Sequence, residues 1–248
     1  MRSLPVSADS PLLEGWYHTI ELGEGMVSRG HFDHRPVVDR YGIPESLVGW
    51  TALDVGSGDG FFSFELERRG ATVTAIDVDS LGDCDWLPQA RRRQSAELLA
   101  ATPWKDRFEM ARAMLGSGVE RMHCSVYDLS PERVGTFDLV FCGDLLVHLQ
   151  SPLAALHNIR SVARELAVIE TVADPELERW IPGHPLLSFG MLDHEAEPGD
   201  LVSYWRFSTR ALVDMMTYAG FGRIEPQPSF ALPPMGLQVV AVVGHVPA

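Results

Sequence analysis

Between Thr51 and Asp79 the chain reads TALDVGSGDGFFSFELERRGATVTAIDVD, and no other stretch narrows the possible folds as far. Residues 52–55 have the apolar pattern of a buried strand. Gly56, Ser57, Gly58, Asp59 and Gly60 follow as a glycine-rich loop. Residues 61–69 predict a helix, and residues 72–76 predict a second strand closed by Asp77. This is the unit that binds an adenosine-containing cofactor at the switch point of an open parallel sheet. The glycines let backbone approach a ligand closely, and the acid after the second strand can grip a ribose diol.

Three details narrow the ligand. Asp54 stands two residues before the first glycine, where a dinucleotide fold has an apolar strand residue. The spacing is G-x-G-x-G, with the third glycine one residue earlier than in G-x-G-x-x-G. No Gly-Lys-Ser/Thr is present, which excludes a triphosphate loop of that type. The pattern resembles the first motif of class I S-adenosylmethionine (SAM) methyltransferases. A carboxylate at Asp54 suits a sulfonium ligand with an ammonium group and would repel a pyrophosphate. A dinucleotide site or an empty Rossmann domain is the competing reading.

The 248 residues suffice for one α/β domain with an insertion. Hydrophobic residues make up 46% and charged residues 22%, the balance of a globular chain. No apolar run is long enough to span a bilayer, and the opening MRSLPVSADSPLLEGW lacks a signal-peptide core. Cys84, Cys124 and Cys142 are widely spaced and form no CxxC, as expected of intracellular thiols and a cytoplasmic location. The formal net charge is −14, and the only basic run, Arg91, Arg92 and Arg93, reads as a solvated helix face. That balance argues against a nucleic-acid partner, whose affinity comes largely from counterion release, without excluding a local patch for tRNA.

The fold class expected is α/β: a Rossmann-like, seven-stranded, mostly parallel sheet with an antiparallel last strand, an N-terminal helical cover and a lid-like insertion. Within a single domain, residues 8–50 form the cover, 51–171 the cofactor-binding core, 172–204 the lid, and 205–248 the last helix and strands. Further strands are expected at 121–126, 137–142, 166–170, 223–225 and 238–243. Helices are expected at 89–101, where Pro103 interrupts, and at 108–115, 153–163 and 209–219. The proline-rich residues 172–204 are too long for a plain connection, which points to a lid over the substrate.

The run FDLVFCGDLLVHLQSPL (137–153), the loop LDVGSGDGFFSFELERRGA, the helix YWRFSTRALVDMMTYAGF, and the WYHTIELGEG and FDHRP segments resemble the tRNA wobble-uridine (5-oxyacetyl-uridine) carboxymethyltransferase family. The resemblance covers most of residues 15–226 and is more specific for the cofactor domain than for the acceptor. It implies that Gly56 contacts the methionine portion of the cofactor and that Asp77, Val78 and Asp79 line the ribose. It further implies that Val126 and Tyr127 bracket the adenine and that Gly143 sits beneath the sulfonium. Two departures stand out. The family holds the extra carboxylate of carboxy-SAM with a tyrosine and an arginine, and these positions are Val147 and Val202 here. A buried carboxylate without partners costs on the order of several kcal/mol, which favours ordinary SAM and methyl transfer. Arg206, four residues on, keeps carboxy-SAM open.

His148, after the fourth strand, is the candidate general base, since histidine titrates near neutral pH. A histidine bonded to backbone is the competing reading. Trp16, His18, Arg35 and Arg206 are candidate acceptor contacts. His31, His34, His184, His194, Asp193, Glu170, Tyr17, Phe32, Trp180 and Trp205 could also wall the acceptor pocket. No histidine pair has a recognised metal spacing, so no metal is assigned. The reading is a methyltransferase acting on oxygen or nitrogen of a small molecule such as a secondary metabolite or sugar, with an oligomer possible in principle. The alternatives are a tRNA wobble-uridine enzyme using SAM or carboxy-SAM, and a SAM-binding regulatory subunit.

Overall fold

The computed structural model describes residues 10–189 and 203–247. The central strands are β1 (Thr51–Val55), β2 (Thr72–Asp77), β3 (Glu120–His123), β4 (Phe137–Gly143), β5 (Ala163–Val172), β6 (Ile224–Pro226) and β7 (Leu237–His245). The main helices are α1 (Phe61–Arg68), α2 (Pro103–Leu115), α3 (Pro152–Val162) and α4 (Thr209–Ala219). Strand order is β6-β7-β5-β4-β1-β2-β3. The pairs β1–β2, β1–β4, β2–β3 and β4–β5 are parallel, whereas β7 runs antiparallel to β5 and β6. The chain leaves β1 for β2 on one side and comes back on the other side as β4. The loop after β1 therefore opens into the crevice where strand order reverses, the place such sheets keep for ligands.

Alternation along β4 builds both cores. Leu139 and Phe141 face one layer with Phe62 and Leu66 of α1 and Phe108 of α2. Val140 and Cys142 face the other with Leu156 and Ile159 of α3 and Leu212 and Met216 of α4. The Phe62 and Phe141 rings stack with centroids 4.0 Å apart. Ser208 caps α4 by accepting from Ala211 N at 3.1 Å, and Gly220 ends it at φ 102°.

Several expectations change. The N-terminal cover is not helical. Glu14–His18 pairs in parallel with Arg29–Phe32, Glu21–Gly23 pairs with Met26–Val27, and only short 3-10 turns lie at Pro11–Leu13 and Val38–Tyr41. Gly15, Gly23 and Gly25 sit at positive φ, which breaks any helix there. An eighth strand, Phe230–Leu232, adds to the sheet beside β7. The helix expected at 89–101 is two short ones, Pro88–Arg91 and Ala96–Ala100. Pro103 opens α2, where a missing N–H costs nothing. β3 ends at His123, and Val126–Asp128 is a 3-10 turn. In the expected lid, Pro175–Trp180 is a helix and Leu187–Phe189 pairs antiparallel with Trp205–Phe207. Asp193, His194, Pro198 and Val202 lie outside the described residues. Among the described residues no helix is long and apolar enough to cross a membrane.

Candidate active site

Gly56, Gly58 and Gly60 adopt φ of 75°, 56° and 99°, the left-handed region that glycine enters without cost. Gly56 N and Ser57 N donate to Ile76 O at 2.9 and 3.2 Å, which ties the loop to the end of β2. The Asp77 carboxylate accepts Gly58 N–H at 2.8 Å and Val78 N–H at 2.7 Å. Burial raises its pKa above the ordinary value even so. Asp54 is fully enclosed and accepts from Ser63 Oγ at 2.5 Å, and burial pushes its carboxyl up to about 7.

These groups open into one cavity of about 1020 Å³. Asp54, Gly56, Ser57, Gly58, Asp77, Val78, Val126, Tyr127 and Gly143 all line it, as do His148, His18 and Arg206. Tyr17, His31, Phe32, His34, Glu170 and Trp205 line it too. Five expected contacts among the described residues do not. Trp16 is 0% exposed in the apolar core, with its indole N–H donating to Leu12 O at 2.8 Å. Arg35 is turned to Asp33 at 2.7 Å and Glu21 at 3.0 Å and does not line the cavity. Asp79 is engaged by Lys105 at 2.5 Å and Arg121 at 2.6 Å and does not line the cavity. Trp180 is exposed, and neither it nor His184 reaches the cavity wall.

Long-range contacts complete the walls. Asp59, inside the glycine loop, accepts the backbone N–H groups of Tyr17 and His18, each at 2.9 Å, and pairs with the His18 imidazole. The N-terminal strand is thereby fastened over the loop. Tyr17 OH donates to Asp144 Oδ2 at 2.6 Å. At the other end, Asp85 accepts from Tyr127 OH at 2.6 Å and from Gln150 N at 2.7 Å, and Tyr204 OH donates to Asp85 O at 2.9 Å. Sequence reading missed Asp59, Asp85, Asp144 and Tyr204 as site residues. One signal was available for Asp144: a charged residue directly after an apolar strand. For Asp85 and Tyr204, whose partners are 42 to 119 residues away, none was.

Glu170, within the apolar run AVIETV, is 1% exposed, and burial and then Asp144 push its pKa well up. Glu170 Oε1, Asp144 Oδ1 and Ser57 Oγ are buried with no hydrogen-bond partner among the described residues.

The methyltransferase domain family matches residues 53–169, from β1 to within β5, the parallel part of the sheet that builds the glycine loop. The chain is also similar to the ubiquinone biosynthesis O-methyltransferase of Xanthomonas campestris pv. campestris, 31% identical over 119 residues. That match covers 48% of this chain and 41% of the relative, so the chain spans less than half the length of the curated relative. In fold it resembles the N-terminal domain of EvdMO1, solved in the presence of SAH and D-fucose, with a TM-score of 0.64. Identity there is 20%, over 95% of this chain and 93% of that one. The 1,6-didemethyltoxoflavin-N1-methyltransferase of Burkholderia thailandensis gives a TM-score of 0.52 at 19% identity, over 81% and 72% of the two chains. At these identities the structural likeness is one of fold. The match is to methyltransferase domains in general, and none of the proteins named here is a tRNA wobble-uridine enzyme.

Proposed function

We propose that this chain is a SAM-dependent methyltransferase acting on an oxygen or nitrogen of a small-molecule acceptor. The observation that carries the reading is the glycine loop after β1, opening at the switch point beside a strand-end acid that already holds the loop N–H of Gly58 and the N–H of Val78. The crevice fits such a cofactor chemically: glycines 56 and 58 admit close backbone approach, and buried acids face a cation. Bound there, SAM supplies an electrophilic methyl on a sulfonium. Asp77 takes the ribose hydroxyls, Val126 and Tyr127 flank the adenine, and Asp54, Gly56 and Gly143 hold the methionine end. Ser57 offers its unpaired hydroxyl, and Val78 packs at the ribose side. His148 accepts the acceptor's proton, while His18 and Arg206 help wall the acceptor. Tyr17, His18, Phe32 and His34 wall the pocket on the N-terminal side, and Ala173, Asp174, Ser203 and Tyr204 border it.

Ordinary SAM is favoured over carboxy-SAM. Val147 is buried without a polar group, and Glu170 and Asp144 add acids to the same cavity wall, surroundings that disfavour a further carboxylate. The ubiquinone O-methyltransferase and the domain solved with D-fucose both support a small, hydroxyl-bearing acceptor over tRNA. The three cysteines are free, which suits a cytoplasmic setting.

Mass spectrometry of the purified protein, together with calorimetric titration with S-adenosylhomocysteine (SAH), tests the reading. SAM or SAH should co-purify or bind. Carboxy-SAM in the extract would restore the tRNA-family reading, and binding of a nicotinamide dinucleotide in place of SAH would end the proposal.

A further inference from the structure

The carboxyl of Glu170 lies against the end of β4, since a Cβ placed on Gly143 would stand 3.1 Å from Glu170 Oε2. The next residue, Asp144, donates its N–H to Glu170 O at 3.1 Å and gives one carboxylate oxygen to Tyr17 OH. Its φ of 48° is a conformation that aspartate tolerates better than most residues. One oxygen of each acid then remains buried and unpaired, and both residues line the cavity. A buried acceptor without a donor costs about 1–3 kcal/mol, so the pair is poised to take donors from a ligand.

The groups that face the pair are Tyr17 on the N-terminal strand, Tyr41 on the 3-10 turn, Cys142 on β4, and Asp59 through Tyr17. None of them is a cation. Arg206, also on the cavity wall, approaches Asp174 at 3.8 Å. Burial, and after it Asp144, raises the pKa of Glu170 well above its ordinary value. A protonated carboxyl donates and accepts, as a hydroxyl does, whereas an ionised carboxylate only accepts.

Given the cofactor assignment proposed above, we infer that Glu170 Oε1 and Asp144 Oδ1, with Asp144 oriented by Tyr17, receive the hydroxyl groups of an uncharged acceptor and reject acceptors carrying a carboxylate. The wall is a specificity device, distinct from the base.

The test uses matched probes on SAH-loaded protein, read by calorimetry: catechol, protocatechuate and dopamine, and D-galactose, D-galacturonate and D-galactosamine. Within a set, the neutral member should bind at least about tenfold more tightly than the acid, since like charges side by side cost over 1 kcal/mol. Asp144→Asn, which removes a charge at constant side-chain size, should shrink that gap to within about threefold, and Glu170→Gln, which keeps a donor and an acceptor, should preserve it, while SAH affinity stays within the same margin in both. Equal binding of acid and neutral probes, preference for the amines, or no neutral probe bound overturns the assignment. A loss of SAH affinity beyond about tenfold in either variant would hand the pair to the cofactor's ammonium instead. Failure of wild-type protein to bind SAH would instead strike the cofactor reading itself.

Discussion

Asp77 holds the glycine loop through Gly58 N–H at 2.8 Å and at the same time faces the cavity. Asp77→Ala removes an acceptor from the part-buried Gly58 N–H together with the proposed ribose contact. SAH affinity should fall by at least about tenfold, the equivalent of one or two lost hydrogen bonds, and unchanged affinity in calorimetry would refute the ribose role. His148→Ala should leave SAH affinity within about threefold and slow single-turnover methyl transfer by about a hundredfold or more, as loss of a general base does. Unchanged turnover would remove it as the base. The place of Asp54 and Asp77 at the cavity was legible because it follows from spacing along a few residues of chain. Trp16 was misassigned because its neighbours Tyr17 and His18 do line the cavity, and nothing in the sequence says that the indole turns back to Leu12. Arg35 satisfies itself on Asp33 two residues earlier, a partner that its sequence did display.

At the scale of elements, the helices and strands of the sheet follow hydrophobic period, caps and glycines, and α4 falls on the expected residues. The N-terminal cover does not, because its short strands owe their conformation to pairing with one another and to a residue of the glycine loop. Asp59 is the anchor: it binds two backbone N–H groups of the strand Glu14–His18 and the His18 ring, all across about forty residues of chain. Asp59→Ala leaves those groups buried and unpaired. Breaking a buried pair of this kind costs about 3–5 kcal/mol, so urea denaturation should show a loss of that order. Limited proteolysis should find new cleavage within residues 14–34 before the sheet is cut. A stable variant with an uncut N-terminus would show that the sheet does not need this strap.

Across the whole molecule, a parallel sheet gathers distant acids at one edge. Asp54, Asp77, Asp144 and Glu170 each interrupt or close an apolar strand, and the topology brings all four to the cavity. The sequence displayed each acid singly, but their convergence required the strand order. Asp54 and Glu170 are 1% exposed, and burial raises the pKa of both and of Asp77. A carboxyl with a folded pKa above its unfolded value contributes stability that is complete below the unfolded value, near 4, and is lost as pH rises through the folded one. For Asp54 that loss runs up to about 7. His34 opposes it: burial lowers its pKa, so its contribution grows with pH but levels off near its ordinary value of about 6.5. The paired carboxylates of Asp33, Glu65, Asp79 and Asp138 are lowered, and their contribution is already complete above about 4.5. Above about pH 6.5 the buried acids therefore decide the slope, and the cofactor-free protein should lose stability between about pH 6.5 and 8. A cationic ligand that draws Asp54 into its ionised form reverses the trend, so SAH affinity should rise over the same interval. Asp54→Asn should flatten both curves. Urea titrations and calorimetry at a series of pH values read them side by side, and a wild-type affinity independent of pH would separate Asp54 from the ammonium.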